Sequence, residues 1–569
     1  MKKKILCIIT IMLLIATIYP VSGTLREEKV LEGQKNLVNN DQTESGDWWP
    51  MYRHDPSNTG CSSSIAPVTN QLNWKQTIGD NILSATPIIY EDRLFISTNW
   101  YYNFINPPNM SKTPIYKNPS PNEIIEALTT YNEEFFGGLY CLNADTGTPL
   151  WSYPLYAPND PAVVDDKLYV TDLDLNYLMN SNLYCLDAED GDYNWQQPLD
   201  GLCLSPTIVA DEKIFICLLN TAGYNVEGAL TCFDLDGNDK WTYPLPSDEI
   251  IFGSAPAYYD GKVYFLTSGM SYSSGNLYCI NAETGQFIWS KPIFSYMYWF
   301  GSTSPACTDG KVYAVDFDIY GYSGSLKCFD ADTGDPLWSR NIGWSFSTPA
   351  ICGDSVFVTA LNLYFYNSRL YRINAESGAI IWYVPIPGST YFFSSGSPIC
   401  ADNKVFVSPT DYFYSYSNDL YCFDMENGDL IWNYELDYES MSAPAIADER
   451  IYVADYLGTV YAIEDLLKIW DISGGIMNVN AEIKNIGDFD FSNVSWSISV
   501  SGGMLGLINR TDSGNIPTLE AGESKLVRAL PVFGLGKIEI IVTTSMPGIN
   551  TIRKSSEGFV LGPLVFISS

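Results

Sequence analysis

The sequence predicts an all-β protein, an eight-bladed β-propeller closed by its N-terminal strand and followed by a small β-sandwich. Two alternating repeats, and the point where they stop, carry that prediction. One repeat reads LYCLNADTGTPLW over residues 139–151 and returns, with variations, down to LYCFDMENGDLIW over 420–432. From Trp151 to Trp432 its tryptophans recur every 44 to 50 residues, the period of a four-stranded blade. The other is a proline-led hairpin, typified by PAYYDGKVYF, that begins at Pro87, Pro161, Pro206, Pro256, Pro305, Pro349, Pro398 and Pro444. Proline suits a strand start, where its missing N–H costs little, and Asp-Gly makes the tight turn.

Each unit therefore supplies strands A and B from the proline half and C and D from the tryptophan half. The Asp-Ala-x-Thr-Gly element is the C–D turn. Its Asp or Asn accepts nearby backbone N–H groups, and its glycine takes the positive φ. Eight hairpins and eight C strands stand against seven D strands that follow a C strand. An extra tryptophan strand around Trp74 precedes the first hairpin. It should pair with the last C strand, around Tyr461, and complete the eighth blade. Such closure removes two sheet edges that would otherwise invite aggregation.

Residues 47–466 make up this propeller region. From 467 to 569 the period gives way to short strand patterns between polar and Gly-rich turns, which read as an antiparallel sandwich. Upstream, three lysines and an apolar run over 5–18 read as a secretory signal peptide spanning 1–23, with a kept N-terminal anchor as the competing reading. Residues 24–46 read as a polar, disordered linker. No later segment is apolar enough to span a bilayer, so the mature chain is expected to be secreted or cell-surface associated.

The net charge of −35 disfavours nucleic acid, whose phosphates demand Lys and Arg. Thirteen cysteines in an exported chain invite disulfides, but their placement argues otherwise. Cys141, Cys185, Cys232, Cys279, Cys328 and Cys422 share one position of strand C. Equivalent points on stacked sheets lie about 10 Å apart, beyond disulfide reach. They are expected to be buried thiols acting as small fillers. Arg372 replaces cysteine at that position in one repeat, where its charge needs an acidic partner or a route to the rim.

The Ala-x-Thr-Gly-x-x-x-Trp run, with the leader WPMYRHDPSNTG over 49–60, resembles the pyrroloquinoline-quinone (PQQ) repeat propellers of exported archaeal or bacterial type. That family includes quinoprotein dehydrogenases and BamB-like envelope scaffolds. The stretch NVNAEIKNIGDFDFSNVSWSISV, with IPTLEAGES after it, resembles adhesion-type Ig-like modules. The dehydrogenase branch of the resemblance implies PQQ and calcium, held by adjacent cysteines and a Glu/Asn/Asp set. This chain has no Cys-Cys dipeptide, and no such calcium set maps onto it residue by residue.

In a propeller the A–B and C–D turns share one face, and the B–C and D–A loops share the other. Here the turns are short and uniform while the loops are long and aromatic, so a ligand is expected on the loop face. Its D–A loops carry Tyr296, Tyr298, Trp299, Phe300, Trp344, Phe346, Tyr391, Phe392 and Phe393, and these should rim the axis. Loop packing is the alternative use of the same rings. Asp172, Asp316, Asp411 and Asp455 lie at the ends of B strands, where a carboxylate ring would hold calcium and where Asx turns would also place aspartate. His54, the only histidine, lies in the leader without metal-ligand partners and is assigned a structural role. Asn109, Asn493 and Asn509 begin glycosylation sequons. The expected function is an exported, non-catalytic binding or scaffold propeller that needs no cofactor. It would engage an extracellular protein or glycan through the aromatic loops. The alternative is a PQQ- and calcium-dependent quinoprotein dehydrogenase.

Overall fold

The computed structural model describes residues 47–78, 85–98, 137–173, 181–220, 227–251, 253–269, 275–293, 303–318, 323–362, 367–390, 396–409, 418–440, 442–547 and 549–567. Within them, eight antiparallel sheets follow one another along the chain, each built on four strands. In the first sheet Ile88–Tyr90, Arg93–Thr98, Gly137–Asn143 and Pro149–Leu155 pair in chain order, as strands A to D. The eighth differs. Ala445–Ala447, Arg450–Ala454 and Thr459–Glu464 are completed by Leu72–Thr77 from the far end of the chain, with Lys75 opposite Tyr461. The pairing that strand counting requires is therefore present.

The conserved spacing of the repeat has a packing cause. In every sheet the D-strand tryptophan lies against a B-strand aromatic, from Phe95–Trp151 in the first to Tyr452–Trp74 in the eighth, with ring centroids 5.8 to 6.1 Å apart. The same indole then reaches the next sheet. Trp74, Trp241, Trp289 and Trp338 donate Nε1–H to the carbonyls of Ala144, Ala282, Ala331 and Ala375 in the neighbouring C–D turns, at 2.9 to 3.1 Å. The turn glycine lies on the ring face: a Cβ on Gly285 would stand 2.6 Å from Trp241. Ala-x-Thr-Gly and Trp recur together because the turn glycine packs on the ring of the preceding sheet and in most sheets the indole also donates to the turn, although Trp151 Nε1 has no such partner. The eighth sheet has no such turn, and Trp432 donates instead to the carbonyl of Pro67. Trp289→Ala removes one such contact and leaves a cavity. The expected loss is about 3–5 kcal/mol, read as a lower urea midpoint at unchanged slope.

The strand-C cysteines are all buried and free. The reading against disulfides nevertheless needs a correction, because Cys61 of the leader is bonded to Cys352 at the end of strand A in the sixth sheet, with Cα atoms 5.6 Å apart. The spacing argument concerned strand C, and these two cysteines lie outside it. Of the two alternatives, Arg372 takes the acidic partner. It is buried and donates Nη1–H to Glu426 Oε2 at 2.9 Å, as well as donating to the Met425 and Glu426 carbonyls and to Ser355 Oγ.

After the eighth sheet come two more. Leu467–Gly474, Val479–Asn485 and Ser524–Ala529 make one; Phe491–Gly502, Ile508–Leu519, Gly534–Ser545, Ile552–Gly562 and Leu564–Ile567 make the other. Their shared apolar core includes Val479, Ile483, Ile498, Ile540 and Val542. Among the described residues no helix is long and apolar enough to cross a membrane.

Candidate functional site

Seven of the eight A strands have no further strand on their inner edge, and the other, Ile399–Ala401, pairs in parallel with Cys61–Ser62, so these backbone groups need partners from outside their own sheet. The leader supplies them. Carbonyls of Trp49, Pro50, Pro56, Ser57, Thr59 and Gly60 accept the N–H groups of Ile89, Val163, Tyr258, Cys307, Ile351 and Cys400 at 2.7 to 2.9 Å. Those six are the middle residues of strand A in six different sheets. Two buried side chains serve the proline carbonyls at the A-strand starts. Asn58 Nδ2 donates to Pro256 and Pro305 at 3.1 and 3.0 Å, and Arg53 Nη2 donates to Pro349 and Pro398 at 3.3 and 2.6 Å. The leader then passes the A–B turns, where Ser64 Oγ accepts the Glu449 N–H. It therefore lines the axis and leaves on the A–B-turn side.

Charge holds this segment in shape. His54 Nε2 meets Asp47 at 3.1 Å and Nδ1 meets Asp55 at 3.5 Å. Asp55 also accepts the Ser57 and Thr59 N–H groups. Burial opposes a charged imidazole, but Asp47 and Asp55 outweigh it and raise His54 to about 9. Burial likewise works against the Asp47 carboxylate, yet His54 and the nearby serines hold it well below the usual range. A histidine with a raised folded pKa contributes stability that is present below about pH 6.5 and lost as pH rises through about 9. Wild type is accordingly expected to exceed His54→Gln by about 2 kcal/mol at pH 6 and to equal it by pH 10, measured by urea unfolding.

A second belt lies just before strand A. The N–H groups of Thr86, Ala255, Ser304 and Thr348 donate to side chains in the following sheet: Asp160 Oδ1, Ser304 Oγ, Thr348 Oγ1 and Ser397 Oγ, at 2.9 to 3.1 Å. Asp160 is a carboxyl in a position filled by hydroxyls at Ser304, Thr348 and Ser397, and burial pushes it up to about 7. The signal for this belt was the Ser or Thr that precedes the hairpin proline in Thr86-Pro87, Ser304-Pro305, Thr348-Pro349 and Ser397-Pro398.

Of the aromatic set expected on the loop face, Tyr296, Tyr298, Trp299, Phe300, Tyr391, Phe392 and Phe393 lie outside the described residues, as do Asp411 and Asn109. Trp344 and Phe346 are described, and they differ from expectation. They are 7% and 8% exposed, because the Trp344 carbonyl accepts the Leu361 N–H and folds this loop back on strand B. Their rings are interior rather than rim. Asp172 Oδ1 accepts the backbone and side-chain N–H groups of Asn182, and its Oδ2 accepts the Tyr184 hydroxyl. Asp455 accepts the Leu457 and Thr459 N–H groups and the Tyr461 hydroxyl. Asp316 pairs with Lys327 at 2.7 Å. Each carboxylate thus serves its own hairpin, in a different sheet, which does not fit a shared calcium set. Asn493 and Asn509 are exposed on sandwich strands.

A family model described as outer membrane protein assembly factor BamB matches residues 136–384 and 366–479. A tetrathionate hydrolase of Acidithiobacillus ferrooxidans is 23% identical over 134 residues, 20% of this chain and 26% of that protein. The chain thus spans about a quarter of that curated relative. Among solved structures, a europium-containing methanol dehydrogenase is similar with a TM-score of 0.51 at 12% identity, covering 72% of this chain and 89% of that one. The quinohemoprotein alcohol dehydrogenase of Comamonas testosteroni gives 0.51 at 13% identity, over 76% and 83%. At such identities the likeness is one of fold, the β-propeller.

Proposed function

This chain belongs to the family of the outer membrane protein assembly factor BamB, and on that premise we propose an exported, non-catalytic binding or scaffold propeller at the cell surface. In this reading the eight sheets are the blades of one ring, and the two sheets after them are an Ig-like module that presents it. The observation that carries the proposal is the leader. It lines the A strands and passes the A–B turns, which supports seeking the ligand on the opposite side, that of the D–A and B–C loops. Concave, aromatic-walled mouths are usual ligand sites, and an acidic protein favours neutral sugars, peptides or cationic groups over phosphate-rich partners. An extracellular protein or glycan is the partner class that fits.

The dehydrogenase reading requires a carboxylate set free to hold calcium beside PQQ. Asp172, Asp316 and Asp455 are committed to their own hairpins, so no step is derived through that cofactor. The test is glycan-array and pull-down binding with Trp299→Ala and Phe392→Ala. Loss of at least tenfold on combining the two is expected. Binding that survives both substitutions but disappears on deleting 467–569 would make the propeller a spacer. Saturable PQQ binding with calcium and dye-linked alcohol oxidation would establish the alternative instead.

A further inference from the structure

Four turns of the sandwich meet at one end: 474–478, 502–508, 530–536 and 561–564. Backbone bonds tie them together, from Gly503 N–H to the Lys537 carbonyl, Met477 N–H to Pro563, and Val532 N–H to Met477. Gly534 and Leu535 lie opposite Gly562 and Leu561. Not one residue of these turns carries an ionisable side chain, in a protein that is 17% charged. Their large apolar side chains face solvent: Leu505 is 89% exposed, Leu507 81%, Ile476 73%, Phe533 63% and Met504 60%.

Charge is ordered around this tip. On three of the strands leading away, the first charged residues are Lys537, Arg510 and Arg528, one or two positions beyond the turns. On Leu467–Gly474, Val479–Asn485 and Ile552–Gly562 the first charges are the acids Asp471, Glu482 and Glu557, three or four positions away, and Phe491–Gly502 and Leu564–Ile567 carry none. Asp512 is held by Arg510. In a chain of net charge −35, an uncharged apolar tip whose nearest collar of charge is Lys537, Arg528 and the Asp512-paired Arg510, with acids beyond it, stands apart from the rest of the surface.

We propose that this tip enters the interface of a lipid bilayer, its leucine, methionine, isoleucine and phenylalanine side chains in the acyl boundary and its collar at the phosphate headgroups. Contiguous exposed apolar surface of this kind marks an interaction site. Patches built for proteins concentrate Tyr, Trp and Arg around a desolvated centre, with hydrogen bonds that set a register. This tip offers mainly aliphatic side chains on Gly-rich turns, with Phe533 as its aromatic member and Asn478 as its polar one. Its position also fits. Asn550, in the turn after the twelve-residue strand Gly534–Ser545, donates to the carbonyls of Val68 and Ile431 in the propeller region. The tip lies at the opposite end of that strand, so membrane contact leaves the propeller contact undisturbed. The proposal stands whatever ligand the loop face takes.

The test uses the full chain and vesicles of phosphatidylcholine with phosphatidylglycerol. The described free cysteines are buried, so a Leu505→Cys variant directs an environment-sensitive dye to the tip. A several-fold, blue-shifted fluorescence gain on adding vesicles is expected. In flotation, Leu505→Ser/Leu507→Ser is expected to bind vesicles at least about tenfold less than wild type, with an unchanged Tm because both side chains are already exposed. Lys537→Glu should weaken binding more on vesicles with phosphatidylglycerol than on phosphatidylcholine alone. No dye response to vesicles overturns the proposal. So does a response that grows with protein concentration in the absence of lipid, which would assign the tip to a second copy of the chain.

Discussion

Asp160→Asn is expected to stabilise the protein at pH 8 and to do much less at pH 5. Asp160 is buried in the belt before strand A, where Oδ1 accepts the Thr86 N–H, and burial raises its carboxyl from 3.8 to about 7. The folded state therefore keeps this proton across a range in which the unfolded chain releases it. With the folded pKa above the unfolded one, the site favours folding most below about pH 4, and that contribution is lost as pH rises toward 7. A shift of this size corresponds to about 4 kcal/mol by pH 8, of which about 1.5 has already gone at pH 5. Asparagine keeps the acceptor for Thr86 and cannot ionise, at the cost of burying an amide that needs its own partner, about 1–2 kcal/mol. The net gain expected at pH 8 is about 2–3 kcal/mol. Urea unfolding of both proteins at pH 5 and pH 8 measures it as a double difference, in which His54 and the other titrating groups cancel. An equal effect at both pH values would show that Asp160 ionises freely in the folded state.

What could be read in the sequence depended on how local the chemistry was. Trp289, the Thr284-Gly285 turn and Pro256 each report a local need for a ring, a positive φ or a strand start, and they repeat often enough to number the strands. Even the pairing of Trp74 with the final C strand followed from counting. The leader was recognisable as a motif, but its role was not. Its partners range from Ile89, close by in the chain, to Pro398, 345 residues away, and it bonds most of them through main-chain carbonyls that any residue possesses. The Cys61–Cys352 bond escaped for the same reason, since neither cysteine stands at the strand-C position that governed the reading. Trp344 and Phe346 show a further limit. A loop has no period of 2 or 3.6 to say which way a ring faces, so aromatic composition alone placed buried rings on a rim.

Deleting residues 47–62 is expected to abolish cooperative folding. The deletion strands six A-strand amides and takes the side-chain donors away from four proline carbonyls, all now met by the leader. Even if water enters and limits each loss to about 1 kcal/mol, the total is on the order of 10 kcal/mol, comparable with the entire stability of a typical domain. The Cys61–Cys352 link disappears as well, and with it a further contribution of about 2–5 kcal/mol. Single substitutions remove one part of this at a time. Asn58→Ala leaves the Pro256 and Pro305 carbonyls without their donor and should cost about 2–3 kcal/mol, whereas Cys61→Ser should cost about 2–5 kcal/mol and respond no further to reductant. A synthetic peptide spanning 47–66, added to the truncated chain during refolding, should restore a sharp melting transition, because its hydrogen bonds to the A strands do not require a covalent link to them. Calorimetry of the truncated chain, with and without that peptide, decides the matter. A transition within about 2 °C of wild type in the absence of peptide would mean that the inner strand edges are satisfied without the leader, and that it does not close the axis.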